Sequence, residues 1–327
     1  MGRSGSPAMS ATDTMTLKKL LAGAPSRWGR WGADDEIGAL NYLTAEEVMY
    51  GLASVRQGRT FTLGVPIATQ EGDAVFPGRW PAKHFMVADK AGFENGHWHP
   101  LPGGLEFADD YVTGFAQAGT HCDALGHMWF DDTLWNGFPA SSTNGGMTKA
   151  GIMPLAERGI AGRGVLLDIA RFRGKPVLDR AETFSHHDLI DCARVQGVEI
   201  HPRSILIIRT GWVGALAAGL QRVGEGYWEP GLTFSPELVR WFDEMQIPCL
   251  VTDTLANETT YEPGTGLMLV LHAALMRNLG IVFTEMAALD ALAADCAGDR
   301  RYEGFYCAAP IKVSKGTGGA ANPVFIK

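Results

Sequence analysis

The chain has 327 residues, a formal net charge of -8 and a pI near 5.6, and it contains no long basic run. That balance argues against a nucleic-acid or anionic-membrane partner and leaves a small molecule as the expected ligand, and the length suffices for a large buried core. Five cysteines, Cys122, Cys192, Cys249, Cys296 and Cys307, are odd in number and include no Cys-x-x-Cys pair. They fit reduced thiols in a cytoplasmic protein better than a disulfide framework.

Residues 1–25 are expected to be a disordered leader, since Met1 to Thr14 is rich in Gly, Ser and Thr and has no apolar stretch long enough for a signal peptide or membrane span. A short helix is expected within that leader at Leu17–Leu21, and a single α/β domain with a mixed central sheet and outer helices over 26–327. Trp28 to Asn41 is a Gly-punctuated loop with two tryptophans, and Thr44-Ala45-Glu46-Glu47 is a capping box opening a helix through about Val55. The alternating run Thr60–Pro66 predicts a strand. Glu71–Phe107, broken by Pro77, Pro81, Pro100 and Pro102, reads as a long irregular loop. Trp80 and Trp98 within it are candidates for substrate contact, and His84, His97 and His99 read as surface histidines.

Tyr111–Phe115 predicts a strand running into the densest chemistry in the chain, Gln117-Ala118-Gly119-Thr120-His121-Cys122-Asp123-Ala124-Leu125-Gly126-His127. In an extended segment His121 and Asp123 share a face with Gln117, and an imidazole beside a carboxylate suits Zn²⁺ or Mn²⁺. A bare His-x-Asp, however, usually binds nothing. Cys122 points the other way and reads as packing. His127, beyond Gly126, is placed at the rim, where an imidazole can carry protons. Trp129 and Trp135 follow as candidate walls for a flat substrate.

Gly164–Ile169 and Ser204–Trp212 are apolar runs typical of buried strands. Ser185 opens a helix through Val195, with His186 and His187 expected to face solvent. Ser235-Pro236 opens another helix. Cys249–Thr254 is a short buried strand with Asp253 near its end, read equally as a ligand orienter or a turn cap. Leu271–Leu279 has helical spacing and is closed by Gly280, and Ile281–Phe283 then delivers Glu285. On spacing alone His272 is as readily a core residue as a ligand, and Glu285 as readily a helix cap.

The segment 117–127 resembles the signature of the cyclase family of metal-dependent hydrolases, His-x-Gly-Thr-His-x-Asp-x-x-x-His. Gly119, Thr120, His121, Asp123 and His127 match, and Gln117 stands where the family has its first His, a metal ligand. The family includes kynurenine formamidase and isatin hydrolase; the loop 28–41 resembles the N-terminal segment of its longer-chain members, and Trp135-Asn136-Gly137 and the closing Ala309–Val324 also resemble family segments. The resemblance implies a swivelling β/β/α fold, a homodimer or homotetramer with neighbouring loops near the pocket, and His272 and Glu285 as the remaining ligands. It implies a divalent metal, zinc or manganese, held by His121, Asp123, Glu285, His272 and Gln117. Metal-activated water would then open a cyclic amide, lactone or aryl-formamide, with His127 and Glu285 moving the proton. A metal-dependent lyase or isomerase on the same scaffold, and an inactive small-molecule binder, are the alternatives.

Overall fold

The apolar run at Ile205–Ile208 is fully buried, as a strand covered on both faces must be. It lies at the middle of the main sheet of a computed structural model that describes residues 15–69, 73, 75–219 and 229–327. The described strands are β1 (Thr60–Thr62), β2 (Lys83–Ala88), β3 (Asp109–Thr113), β4 (His121–Asp123), β5 (Ile160–Asp168), β6 (Thr183–Phe184), β7 (Ile205–Arg209), β8 (Gly231–Leu232), β9 (Cys249–Thr252), β10 (Val282–Glu285), β11 (Glu303–Ala308), β12 (Gly318–Ala320) and β13 (Val324–Ile326). One nine-stranded sheet has the order β1-β13-β11-β5-β7-β9-β10-β4-β12. Its centre, β5-β7-β9-β10, is parallel, and antiparallel strands extend both sides. The mixed α/β architecture expected from the sequence is the one observed.

Local signals account for most helix starts. Thr44 and Glu47 form the capping box of Ala45–Ala53, Ser185 and Asp188 that of His186–Gln196, and Ser235 caps Pro236–Glu244 with proline in the first turn. His186 differs from expectation: it is buried and its ring lies 6.0 Å from that of Trp241, while His187 stays exposed. The first-turn side chain lies against the helix Pro236–Glu244.

The leader expected over 1–25 falls, from Met1 to Thr14, outside the described residues. From Met15 the chain is folded: Leu17–Leu20 is helical, capped by Thr16, and Leu21 is buried in the main core. Glu71–Phe107 is more regular than its prolines suggest. β2 and β3 pair as an antiparallel ribbon, and Lys90–Glu94 forms a short helix capped by Asp89. The prolines fall outside the paired residues, so none interrupts the ladder.

Two segments distant in sequence clasp each other. Asn136, at φ +58, accepts from Gly29 N and donates through Nδ2 to Gly32 O, Ala33 O and Asp35 O. Trp135, completely buried, donates from its indole nitrogen to Asp35 O. The loop 28–41 is thereby fixed against the core beside Gly280, whose carbonyl accepts from Ala39 N.

Candidate metal centre

β4 lies between β10 and β12 in antiparallel register, with His121 opposite Glu285 and Cys122 opposite Thr284. Cross-strand partners share a face, so His121 and Glu285 project together, and the two-residue pleat adds Asp123 beside them. Cys122 projects to the other face, where Sγ lies 3.3 Å from Thr284 Oγ1 and burial pushes the thiol up to about 12. Gly119 makes the approach to β4 possible: its φ is +61, and a Cβ there would lie 2.7 Å from Ile67 Cγ2. Thr120 ties the turn down, donating to Met286 O and accepting from Val65 N.

One ligand atom from each of His121, Asp123 and Glu285 falls within 4.8 Å of the others, and all three residues are buried. His121 Nε2 is 3.3 Å from Glu285 Oε2 and 3.7 Å from Asp123 Oδ1. His272 joins them from a segment that departs from the expected α-helix. His272–Arg277 is a π-helix, with Asn278 N donating to Ala273 O, and the wider turn is a frequent device at functional sites. His272 Nε2 lies 3.5 Å from Glu285 Oε1 and 3.9 Å from Asp123 Oδ2.

The hydrogen bonds on the far side of each ring settle what faces the centre. His121 Nδ1 is 2.8 Å from Gly119 O, which can only accept, and His272 Nδ1 is 2.6 Å from Glu258 Oε1. Both Nδ1 atoms therefore carry protons, and each neutral ring turns an Nε2 lone pair toward the Asp123 and Glu285 carboxylates. His121 Nε2 and Asp123 Oδ1 are buried without a hydrogen-bond partner. Lone pairs and carboxylates converging away from water are stable only with a cation among them, so the donor set fits a divalent metal.

Without a metal, protons answer the same demand. Burial lowers the pKa of both rings, but the Glu285 carboxylate and Asp123 raise His121 above its ordinary value, and Glu258 and Glu285 raise His272 to about 10. Burial pushes Glu285 up, and its two histidine neighbours outweigh that and hold it at about 2.

His127 stands at the edge of this group, its side chain 18% exposed and its Nε2 3.9 Å from Asp123 Oδ1. Burial holds its pKa below the ordinary value despite the pull of Asp123, leaving a neutral ring. Gln117 is engaged behind it: its amide nitrogen lies 3.0 Å from Thr317 Oγ1 and 3.4 Å from His127 Nδ1. An amide nitrogen has no lone pair to give a metal, so the atom presented here serves the His127 ring.

The expected aromatic walls separate. Trp80 is 62% exposed and packs edge-on against Phe115, with ring centroids 4.7 Å apart. Its neighbour Arg79 donates to Gln117 O, which places this pair beside the motif. Trp129 is exposed two residues beyond His127. Trp98 instead packs within the β2–β3 arm, donating to Val87 O and contacting Phe107. Trp135 is wholly buried between loop 28–41 and Gly280.

Several residues with evident roles carry no local signal. Trp212, Val213, Leu255 and Met286, joined by Val65 and Phe76, form an apolar cluster separate from the main core, and Met286 directly follows Glu285. They lie after the C-terminal ends of β7, β9 and β10, where α/β proteins place ligands. Asp253, buried, accepts from Thr210 N and Oγ1 and from Gly211 N, so it holds a turn on the neighbouring strand and not the next turn of its own segment. It caps the turn after β7. Asn257 and Glu258 contact the ligand side chains themselves.

The Cyclase family model matches residues 61–259, which hold β4 and most of the parallel core. The chain belongs to that family. A crystal structure of a novel cyclase is 34% identical, with a TM-score of 0.82 over 93% of this chain and all of that one. Isatin hydrolase A from Ralstonia solanacearum is 18% identical and superposes with a TM-score of 0.59, over 82% of this chain and 92% of that one. An isatin hydrolase bound to the product analogue thioisatinate is 17% identical with a TM-score of 0.55, over 95% and 98% of the two chains. Among curated proteins none matches the chain. The five cysteines are free, and among the described residues no helix is long and apolar enough to cross a membrane.

Proposed function

We propose that the protein is a metal-dependent hydrolase that adds water across a cyclic amide, a lactone or an aryl-formamide. The observation that carries this reading is the buried meeting of donor atoms from His121, Asp123 and Glu285 within 4.8 Å of one another, with His272 Nε2 3.5 Å from the Glu285 carboxylate. A zinc or manganese ion bound there would supply Lewis acidity and bring the pKa of water from 15.7 toward about 7. Membership of the Cyclase family and the fold shared with isatin hydrolases support the choice of bond class.

The chain's own groups supply the proton path. With Gln117 donating to Nδ1, the single proton of the neutral His127 ring sits on Nε2, the atom toward Asp123. His127 takes up a proton from the attacking water and then gives one to the leaving nitrogen or oxygen, so the ring ends neutral as it began and the net change is addition of one water. Such a positioned group contributes about 10²- to 10⁴-fold. The apolar cluster around Trp212 and Met286, and the Trp80–Phe115 pair beside the motif, suit a flat apolar substrate body.

The test is a panel of aryl-formamides, cyclic imides and lactones incubated with zinc- or manganese-loaded protein and followed by mass spectrometry. The expected product is one water heavier than its substrate, and its formation stops with chelator or with His121→Ala. Unchanged mass with altered structure would instead favour an isomerase. No conversion across the panel by protein that has bound metal would sink the hydrolase reading.

A further inference from the structure

Two adjacent residues, Asn257 and Glu258, reach the two ligand groups that come from the second half of the chain. Asn257 Nδ2 donates to Glu285 Oε1 at 3.0 Å. Glu258 Oε1 accepts from His272 Nδ1 at 2.6 Å and from His272 N at 2.7 Å, while its Oε2 accepts from Leu271 N at 2.6 Å. Both residues are 1% exposed. Asn257 has φ +57, a left-handed conformation that asparagine tolerates better than most residues. That turn lets consecutive side chains serve two separate targets.

We propose that Asn257 and Glu258 form a positioning clamp that sets the geometry of His272 and Glu285 around the metal, and that the clamp, not the strands alone, fixes the metal's coordination. This rests on the metal-hydrolase reading of the site. The reasons are geometric. Glu258 holds His272 in three ways at once: it keeps the proton on Nδ1 so that Nε2 faces inward, it fixes the ring's direction, and it caps the first N–H groups of the π-helix. No other described side chain hydrogen-bonds to His272 Nδ1. Glu285 has its Oε2 beside His121 and its Oε1 beside His272, and the Asn257 amide bonds the second oxygen. A carboxylate held by one fixed donor cannot swing between these two positions. The local half of the site needs no such support, because β4 carries His121 and Asp123 on one pleat and Gly119 O holds the His121 ring. The remote half arrives at the last residue of β10 and on a π-turn, and side chains hold it there. Such outer contacts are typically worth 10- to 100-fold in metal affinity.

The experiment uses the full chain, stripped of metal and titrated with cobalt(II), whose visible bands report coordination geometry. Asn257→Gly removes the amide and keeps the left-handed turn free of strain, and Glu258→Gln keeps the shape of the side chain but loses the charge and one acceptor. Asn257→Asp keeps size and turn, replaces the donor with an acceptor and adds a negative charge beside Glu285. The expected result is a 10- to 100-fold weaker cobalt affinity in Asn257→Gly and Glu258→Gln. Altered band positions or intensities are expected in all three variants, with the metal-free melting temperature of Asn257→Gly close to that of the parent. Parent affinity and parent spectra in Asn257→Gly and Asn257→Asp would overturn the clamp even if Glu258→Gln failed to fold. Parent protein that binds no cobalt would overturn the metal reading and the clamp with it, so the two failures are told apart by the first titration.

Discussion

Loading the centre with a divalent cation should expel protons, and the metal-free protein should lose stability as the pH rises. His272 is the cause in both cases. Its pKa is raised from 6.5 to about 10, because the Glu258 and Glu285 carboxylates more than offset its burial. A histidine whose folded pKa exceeds its unfolded value contributes stability that is fully present below the unfolded pKa and is lost as pH rises through the folded one. The window here runs from 6.5 to about 10. At about 1.4 kcal/mol per pH unit the pairing is on the order of 5 kcal/mol. A metal must displace that proton, so affinity at neutral pH should rise about tenfold per pH unit for this one group, and more steeply if His121, raised in the same sense, also releases one. Calorimetric titration with zinc at pH 7 in two buffers of different ionisation enthalpy counts the protons released. Urea melts in chelator at pH 6.5, 8 and 9.5 follow stability. Between one and two protons, with a metal-free protein that weakens toward alkaline pH, is expected. Zero protons released, or melts that strengthen with pH, would refute the pairing of His272 with the buried carboxylates.

His127→Asn should lower turnover about 10²- to 10⁴-fold while leaving metal affinity within about threefold, since the ring stands at the edge of the ligand set. A parallel fall in metal affinity, measured by competition with a chromophoric chelator, would make His127 a ligand instead of a proton carrier. Trp135→Ala should cost about 3–5 kcal/mol in urea unfolding, because the ring is wholly buried and its indole N–H is bonded to Asp35 O. If that variant kept its stability and instead raised KM, Trp135 would belong to the pocket after all.

The parts of the fold that were legible from sequence are those whose cause is local. Capping boxes at Thr44 and Ser185, proline after Ser235 and the apolar run at Ile205–Ile208 each specify their element within a few residues. The pairing of His121 with Asp123 was legible for the same reason: a pleat of two puts them on one face. His272 and Glu285 were visible only through family resemblance, because their nearness to β4 depends on β10 lying beside it in the sheet. Tyr111–Phe115 overlaps β3, but β2 escaped notice because its residues are largely exposed on both faces, and no alternation marks a ribbon without a buried side. The burial of Trp135 was not legible, because sequence cannot tell a ring that walls a cavity from one that fills a core. Glu258 and Asn257 had no motif of their own, since a side chain that acts through another residue has no fixed spacing from it.

The replacement of the family's first histidine by Gln117 can be weighed against this geometry. Four donor side chains meet without it, two from β4, one from the end of β10 and one from the π-turn. A catalytic zinc commonly takes three protein ligands and keeps a position for water, so four donors already suffice. An imidazole at 117 would add a fifth lone pair, whereas the amide there offers its nitrogen to Thr317 and His127. The substitution therefore acts on His127, the residue proposed to carry the proton. A donor at Nδ1 places the proton of His127 on Nε2, and it also opposes imidazolium formation, because a protonated Nδ1 would face the amide hydrogens. Burial lowers the pKa of the same ring, so the hydrogen bond and the desolvation act in one direction and favour a neutral His127.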